Sequence, residues 1–286
     1  MGARVLVTGG SGFVGRRLCA ALHTQGFEVQ APGHRELDLR GKMSPRVEKV
    51  WHLAAKTFVP DSWNEPAEFY RANVQLTVDL LEYCRGAAIP MVYVSGYCYG
   101  VADRQPIPET APLRPNNPYA FSKAAAEAAC RLFATHLGVP VAIVRPFNVY
   151  GPGQRPQFLI PHLIAQALDP AAPQIAVDDL RPRRDFVHVD DLVAALCAVP
   201  VTDELRIFNV GSGRSHSVAE LAAMVQRAAG TAKRIVARGS PRSEEIFDAV
   251  ADISALRALG WQPRIGLAQG LRTLLAEARA GLNAVV

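Results

Sequence analysis

Residues 5–18 read VLVTGGSGFVGRRL: an apolar run, three glycines at every third position (Gly9, Gly12, Gly15), then an amphipathic run. The apolar run has strand character, the glycines permit a sharp turn with close backbone approach, and the last part has helical spacing. A turn of this kind brings backbone N–H groups at a helix N-terminus to where a pyrophosphate is held. The same residues also serve a plain tight turn against a close-packed helix. Here the turn opens a βαβ unit, the context that favours the dinucleotide.

Further strand-like runs lie at 28–31, 50–54, 91–95 and 141–146, and helical patterns at 12–25, 67–85 and 119–137. Mostly apolar strands alternating with helices imply a parallel sheet covered on both faces. After Gly151 the texture changes: six prolines from Pro152 to Pro182 punctuate short segments, which argues for irregular structure and a second lobe. Helical patterns return at 194–199, 218–229 and 267–282, and 206–213 reads as one more buried strand. The expected fold is α/β, a Rossmann-type doubly wound parallel sheet with a smaller C-terminal α+β lobe that binds substrate. Residues 1–151 and about 186–234 are assigned to the dinucleotide-binding domain, and about 152–185 and 235–286 to that lobe.

With 286 residues, 49% of them hydrophobic, the chain is long enough for a large core. No apolar run suits a membrane span, and the first residues lack a signal-peptide pattern, so a cytoplasmic protein is expected. The net charge of +5 is scattered, which offers nucleic acid no specific footprint but suits an anionic small molecule. Five cysteines lie far apart with no C-x-x-C pair, so neither a disulfide framework nor a metal site is expected.

Which dinucleotide is bound depends on the end of the second strand, where an NAD site places Asp or Glu against the ribose hydroxyls. This chain has Ala31, Pro32, Gly33, His34 and Arg35 there. Arg35 suits a 2′-phosphate, which favours NADP(H) over NAD(H); the alternative is a plain loop arginine. In PYAFSK, Tyr119 and Lys123 stand four apart, on one face of a helix. A phenol acts in proton transfer when a neighbouring ammonium lowers its proton affinity, although this spacing is also common on ordinary surfaces. Ser95 closes the fourth strand, at the sheet end where ligands of doubly wound folds lie, and can bind a substrate oxygen; otherwise it only terminates the strand.

Together these features resemble the extended short-chain dehydrogenase/reductase family, in its branch that modifies sugar nucleotides. VTGGSGFVG matches T-G-x-x-G-F-x-G, WHLAA the H-L-A-A strand, YVSGYCYG the S-x-x-x-Y-G element, and PYAFSK the catalytic helix. RPFNVYGPGQ, RDFVHVDDL and DISALRALGWQP match later signatures in order, so the resemblance spans nearly the whole chain. It implies that Ser95, Tyr119 and Lys123 are catalytic. It also implies that Gly9, Gly12, Phe13, Val14, Gly15, Asp38, Leu39, Leu53, Ala54, Ala55 and Pro146 join Arg35, Tyr119 and Lys123 around the cofactor. Asn148, Arg184 and Arg242 match positions that hold the nucleotide diphosphate, and members often form homodimers through the Tyr119 helix.

Departures narrow the activity. Dehydratases carry an acidic residue just after the catalytic Ser or Thr, where this chain has Gly96 and Tyr97. The epimerising Cys and His of the fucose synthase branch align with Tyr97 and with Phe158 or Leu159, although Cys98 and His162 are near. The stretch HLAAKTFVPDSWNEP resembles reductases of GDP-4-keto-6-deoxymannose, which makes Lys56, Thr57, Phe58 and Val59 candidate substrate contacts beside Ser95. The expected function is NAD(P)H-dependent reduction of the C4 keto group of a nucleotide-activated 4-keto-6-deoxyhexose, GDP- or dTDP-linked. An NAD-dependent nucleotide-sugar 4-epimerase is the alternative, and a non-catalytic dinucleotide sensor is less favoured because Tyr119 and Lys123 are both present.

Overall fold

The structure, a computed structural model, describes residues 2–33, 47–239 and 245–283. The first half runs β1 (Arg4–Thr8), α1 (Phe13–Thr24), β2 (Glu28–Gln30), β3 (Lys49–His52), α2 (Val59–Asn64), α3 (Pro66–Tyr70), α4 (Leu76–Arg85), β4 (Met91–Val94), α5 (Pro118–His136) and β5 (Val141–Pro146). The second half runs β6 (Asn148–Tyr150), α6 (Leu159–Leu168), β7 (Gln174–Val177), β8 (Arg183–His188), α7 (Val189–Ala198) and β9 (Arg206–Val210). It ends with β10 (Ser215–Ser217), α8 (Val218–Ala229), β11 (Arg234–Ala237), α9 (Ser254–Arg257) and α10 (Leu267–Asn283).

Six strands form one parallel sheet in the order β2-β1-β3-β4-β5-β9. Its strands are apolar on both sides, and successive residues feed opposite cores. Val5, Val7, Trp51, Val92, Ala142 and Val144 pack with α1 and α7 on one face. Leu6, Val50, Met91, Tyr93, Val141 and Ile143 pack with α4 and α5 on the other. The fold is therefore the doubly wound Rossmann type that the sequence predicts. The chain leaves β1 in one direction to β2 and lies in the other direction at β3, so a crevice opens past the ends of β1 and β3.

Beyond Gly151 the elements are short. Strands β10, β8 and β6 make a small sheet, and β7 pairs with β11 in another. A separate core joins α6, α8 and α10 through Leu163, Leu221 and Leu271. Helix α8 packs in this second core, although residues 218–229 fall within the segment assigned to the dinucleotide-binding domain. The segment expected as helical over 67–85 is helical without a break, as α3, a π-helical turn over Arg71–Gln75 that the sequence did not announce, and α4. Among the described residues no helix is long and apolar enough to cross a membrane.

Candidate active site

A cavity of about 1090 Å³ lies past the ends of β1, β3, β4 and β5, against β6, β8 and the loop after Gly151. One side is the glycine turn. Gly9 has φ 71°, and a Cβ there would stand 2.8 Å from the Ala54 nitrogen, so only glycine admits this approach of β1 to β3. Gly12 N donates to Gly9 O at 2.9 Å, and a Cβ on Gly15 would collide with that same carbonyl. Gly12 caps α1 with no side-chain acceptor, and the first turn has no acidic residue. The first N–H groups of α1 are thus left for an anion, and Phe13, Val14 and Gly15 line the cavity beside them. The turn fits a dinucleotide pyrophosphate.

Behind it runs a buried relay. Thr77 Oγ1 donates to Asn73 O (2.6 Å), so it accepts from His52 Nε2 (2.9 Å), and His52 Nδ1 then accepts from Thr8 Oγ1 (2.7 Å). Burial, reinforced by the Lys123 charge, pushes His52 down to about 3, so the ring is neutral and fixed in one tautomer. Asn73 holds the loop after β3: its Oδ1 accepts from Lys56 N (2.8 Å) and its Nδ2 donates to Lys56 O (3.0 Å). The same Nδ2 donates to Ser122 Oγ on α5 (2.9 Å). Asn73 therefore sets Leu53–Lys56 against the helix that carries Tyr119 and Lys123.

Asn117 starts α5 by accepting from Ala120 N at 2.9 Å, and Pro118 follows at the first helical position. This places Tyr119 at the cavity wall, with its oxygen 2.6 Å from where a Gly96 Cβ would stand. A side chain at 96 would displace the phenol. Ser95 N donates to Val144 O at 2.8 Å, which holds Ser95 at the sheet edge. Ser95 Oγ is buried and has no hydrogen-bond partner except the weak Cys98 thiol.

Lys123 Nζ donates to Val94 O at 2.6 Å and stands 4.4 Å from the Tyr93 ring centre. Burial lowers Lys123 to about 8, whereas burial raises the Tyr119 phenol well above its ordinary value. The lowering of the phenol by the ammonium, expected from the sequence, is not seen. Desolvation dominates, and Lys123 points at the Val94 carbonyl.

Gly9, Gly12, Phe13, Val14, Gly15, Leu53, Ala55, Lys56, Thr57, Phe58, Val59, Ser95, Tyr119, Lys123, Pro146, Asn148 and Arg184 all line this one cavity. Ala54 instead packs behind Gly9. Arg35, Asp38, Leu39 and Arg242 lie outside the described residues. Arg184 is engaged: it pairs with Glu245 at 2.7 Å and donates to the Ile246 carbonyl. Other residues of the recurring motifs do not reach the cavity. Asp185 accepts from the backbone of Ser212, Gly213 and Ala251. Arg145 is buried in a bidentate pair with Glu127 (2.9 and 2.6 Å) and donates to Tyr99 Oη (2.8 Å).

Sequence reasoning missed Asn73, whose role needs the π-helical turn and partners 17 and 49 residues away. It also missed Arg155, which lies over the Phe58 and Phe158 rings at 6.0 and 5.5 Å on the cavity wall. An arginine in a proline-rich loop carries no local signal of that placement.

A family model described as the NAD dependent epimerase/dehydratase family matches residues 5–211. The chain is 33% identical to GDP-6-deoxy-D-mannose reductase of Pseudomonas aeruginosa, over 97% of each protein. Among solved structures it resembles RMD from Pseudomonas aeruginosa complexed with NADPH (TM-score 0.87, 30% identity, 98% of this chain and 99% of that one). It equally resembles UDP-glucose 4-epimerase with UDP-glucose from Thermotoga maritima (TM-score 0.87, 27% identity, 98% and 100%).

Proposed function

The chain belongs to the NAD dependent epimerase/dehydratase family, and from that premise we propose that it reduces the C4 keto group of a nucleotide-activated 4-keto-6-deoxyhexose with NADPH. The observation that carries this reading is the grouping of Ser95, Tyr119 and Lys123 on one cavity, with Gly96 and Tyr97 rather than a carboxylate following Ser95. The site offers proton donors to an oxygen, and no carboxylate next to Ser95 to remove a C5 proton. The similarity to a GDP-6-deoxy-D-mannose reductase supports the same choice and a GDP-linked substrate.

When bound, the nicotinamide supplies the hydride. The Tyr119 phenol is held protonated by burial, so it is an acid: its O–H bond breaks as the proton passes to the oxygen at C4. Ser95 Oγ, short of partners, donates a hydrogen bond to that oxygen as charge develops there. The Lys123 ammonium, one turn along α5 and lining the same cavity, is placed to hold the nicotinamide ribose. The glycine turn and Phe13–Gly15 hold the pyrophosphate, with Leu53–Ala55 and Pro146 beside the rest of the cofactor. Lys56–Val59, Asn148 and Arg184 face the nucleotide sugar, which the second lobe receives.

NADP(H) is assigned on Arg35. Arg35→Ala is expected to weaken NADPH at least tenfold more than NADH, measured by titration; equal effects overturn the assignment. The activity is tested by supplying NADPH with GDP- and dTDP-4-keto-6-deoxyhexoses and identifying the product by NMR. Reduction at C4 is expected. The likeness to UDP-glucose 4-epimerase favours a second reading, and a protein that retains NAD tightly and does not consume NADPH would establish it.

A further inference from the structure

The reacting carbon of the proposed substrate, C4, is bonded to C5, which carries C6. With the C4 oxygen held by Ser95 and Tyr119, the groups on its neighbouring carbons meet whatever wall lies next to that pair. The chain continues from Ser95 through Gly96, on which the Tyr119 oxygen rests, to Tyr97, the next side chain on the cavity wall.

Tyr97 lines the cavity with its hydroxyl already engaged. Its Oη donates to Gly100 O at 2.7 Å, so its polar end is committed to its own loop. Its ring meets the buried Phe147 edge-on at 5.2 Å and Tyr99 at 5.6 Å. Phe147 lines the same cavity and likewise has no polar atom on its side chain. Thr57 and Asn148 also line the cavity and offer polar side chains that Tyr97 and Phe147 do not.

We propose that Tyr97 and Phe147 form the seat of the sugar's C6 group and select a methyl over a hydroxymethyl there. The inference rests on the nucleotide-sugar reading and assigns its 6-deoxy specificity to named residues. A hydroxymethyl on this seat would give up its water without gaining a partner, whereas a methyl loses nothing. Discrimination by an apolar pocket against an added hydroxyl reaches on the order of 10- to 100-fold.

The test is a binding comparison on the full chain saturated with NADPH, using matched pairs that differ only at C6. Suitable pairs are GDP-mannose with GDP-6-deoxymannose, and dTDP-galactose with its 6-deoxy counterpart, measured by calorimetry. The 6-deoxy member is expected to bind at least tenfold more tightly to the wild type. Tyr97→Phe keeps the ring and is expected to keep that ratio. Tyr97→Asn places an amide on the wall and is expected to bring the ratio near one. A wild-type ratio of one, or a preference for the hydroxymethyl sugar, overturns the proposal, and so does a folded Tyr97→Asn that keeps the tenfold ratio. The ketoreductase reading fails separately, by absence of NADPH consumption while the C6 preference persists.

Discussion

Lys123 and Tyr119 stand one turn apart on α5, yet burial moves their proton affinities in opposite directions because the charged forms are the base of one and the acid of the other. Below about pH 8 Lys123 is an ammonium that can hold the cofactor, and above it that charge is gone. The kcat/KM for reduction, which reports groups of the free enzyme, is expected to fall as pH rises through about 8. Lys123→Arg should move that break to higher pH. Stability runs the other way. A folded value below the unfolded value near 10.5 gives a contribution that is full above 10.5 and lost as pH falls through about 8. Tyr119→Phe removes the proposed proton donor and is expected to cost about 10² to 10⁴ in turnover, with nucleotide affinity unchanged. Gly9, Gly12, Gly15, Ser95, Tyr119 and Lys123 were legible in the sequence because each sits at a fixed local spacing in a recognisable turn, strand end or helix. Asn73 was not, because its meaning lies in what it touches.

At the scale of elements, α5 is the part whose position matters most, and it is held at its start and at its middle. Asn117 and Pro118 fix its start, and Glu127, one turn beyond Lys123, is clamped by Arg145 of β5. Arg145 is tied further to Tyr99 Oη and the Glu109 carbonyl, and Tyr99 Oη donates to Asn209 Oδ1 on β9 (2.6 Å). The whole group is buried, so removing one partner leaves a charge without compensation. Glu127→Ala is expected to destabilise by about 3–5 kcal/mol, read from the denaturant midpoint. Replacing Glu127 and Arg145 together by Leu and Met should cost much less, because no orphan charge remains. The sequence placed β1, β5 and α5 within a residue or so, since apolar runs and proline caps mark their ends. It placed the helical run over 67–85 but not the π-helical turn within it, because such a turn keeps the chain helical while shifting which face looks inward.

For the whole molecule, two cores flank one cavity, and buried polar residues lock the chain around it. Asp185 of β8 fastens the backbone after β9 and at Ala251. Trp261 Nε1 donates to Asp191 O at the foot of α7 (3.1 Å). The outer face of α5 shows Phe121, Ala128 and Leu132 exposed at helical spacing. We propose this stripe as a homodimer contact. Light scattering should give twice the chain mass for the wild type and the chain mass for Leu132→Glu, with the far-ultraviolet spectrum unchanged.

The sequence by itself determined the doubly wound sheet and the glycine turn and put forward Ser95, Tyr119 and Lys123 as candidates, because strand period, glycine freedom and helical spacing are properties of neighbouring residues. Only the tertiary structure decided that Arg145 and Asp185 brace the fold, that Arg184 pairs with Glu245, and that burial rather than Lys123 governs the Tyr119 phenol. Those outcomes depend on desolvation and on partners brought together from distant parts of the chain, and no local pattern records either.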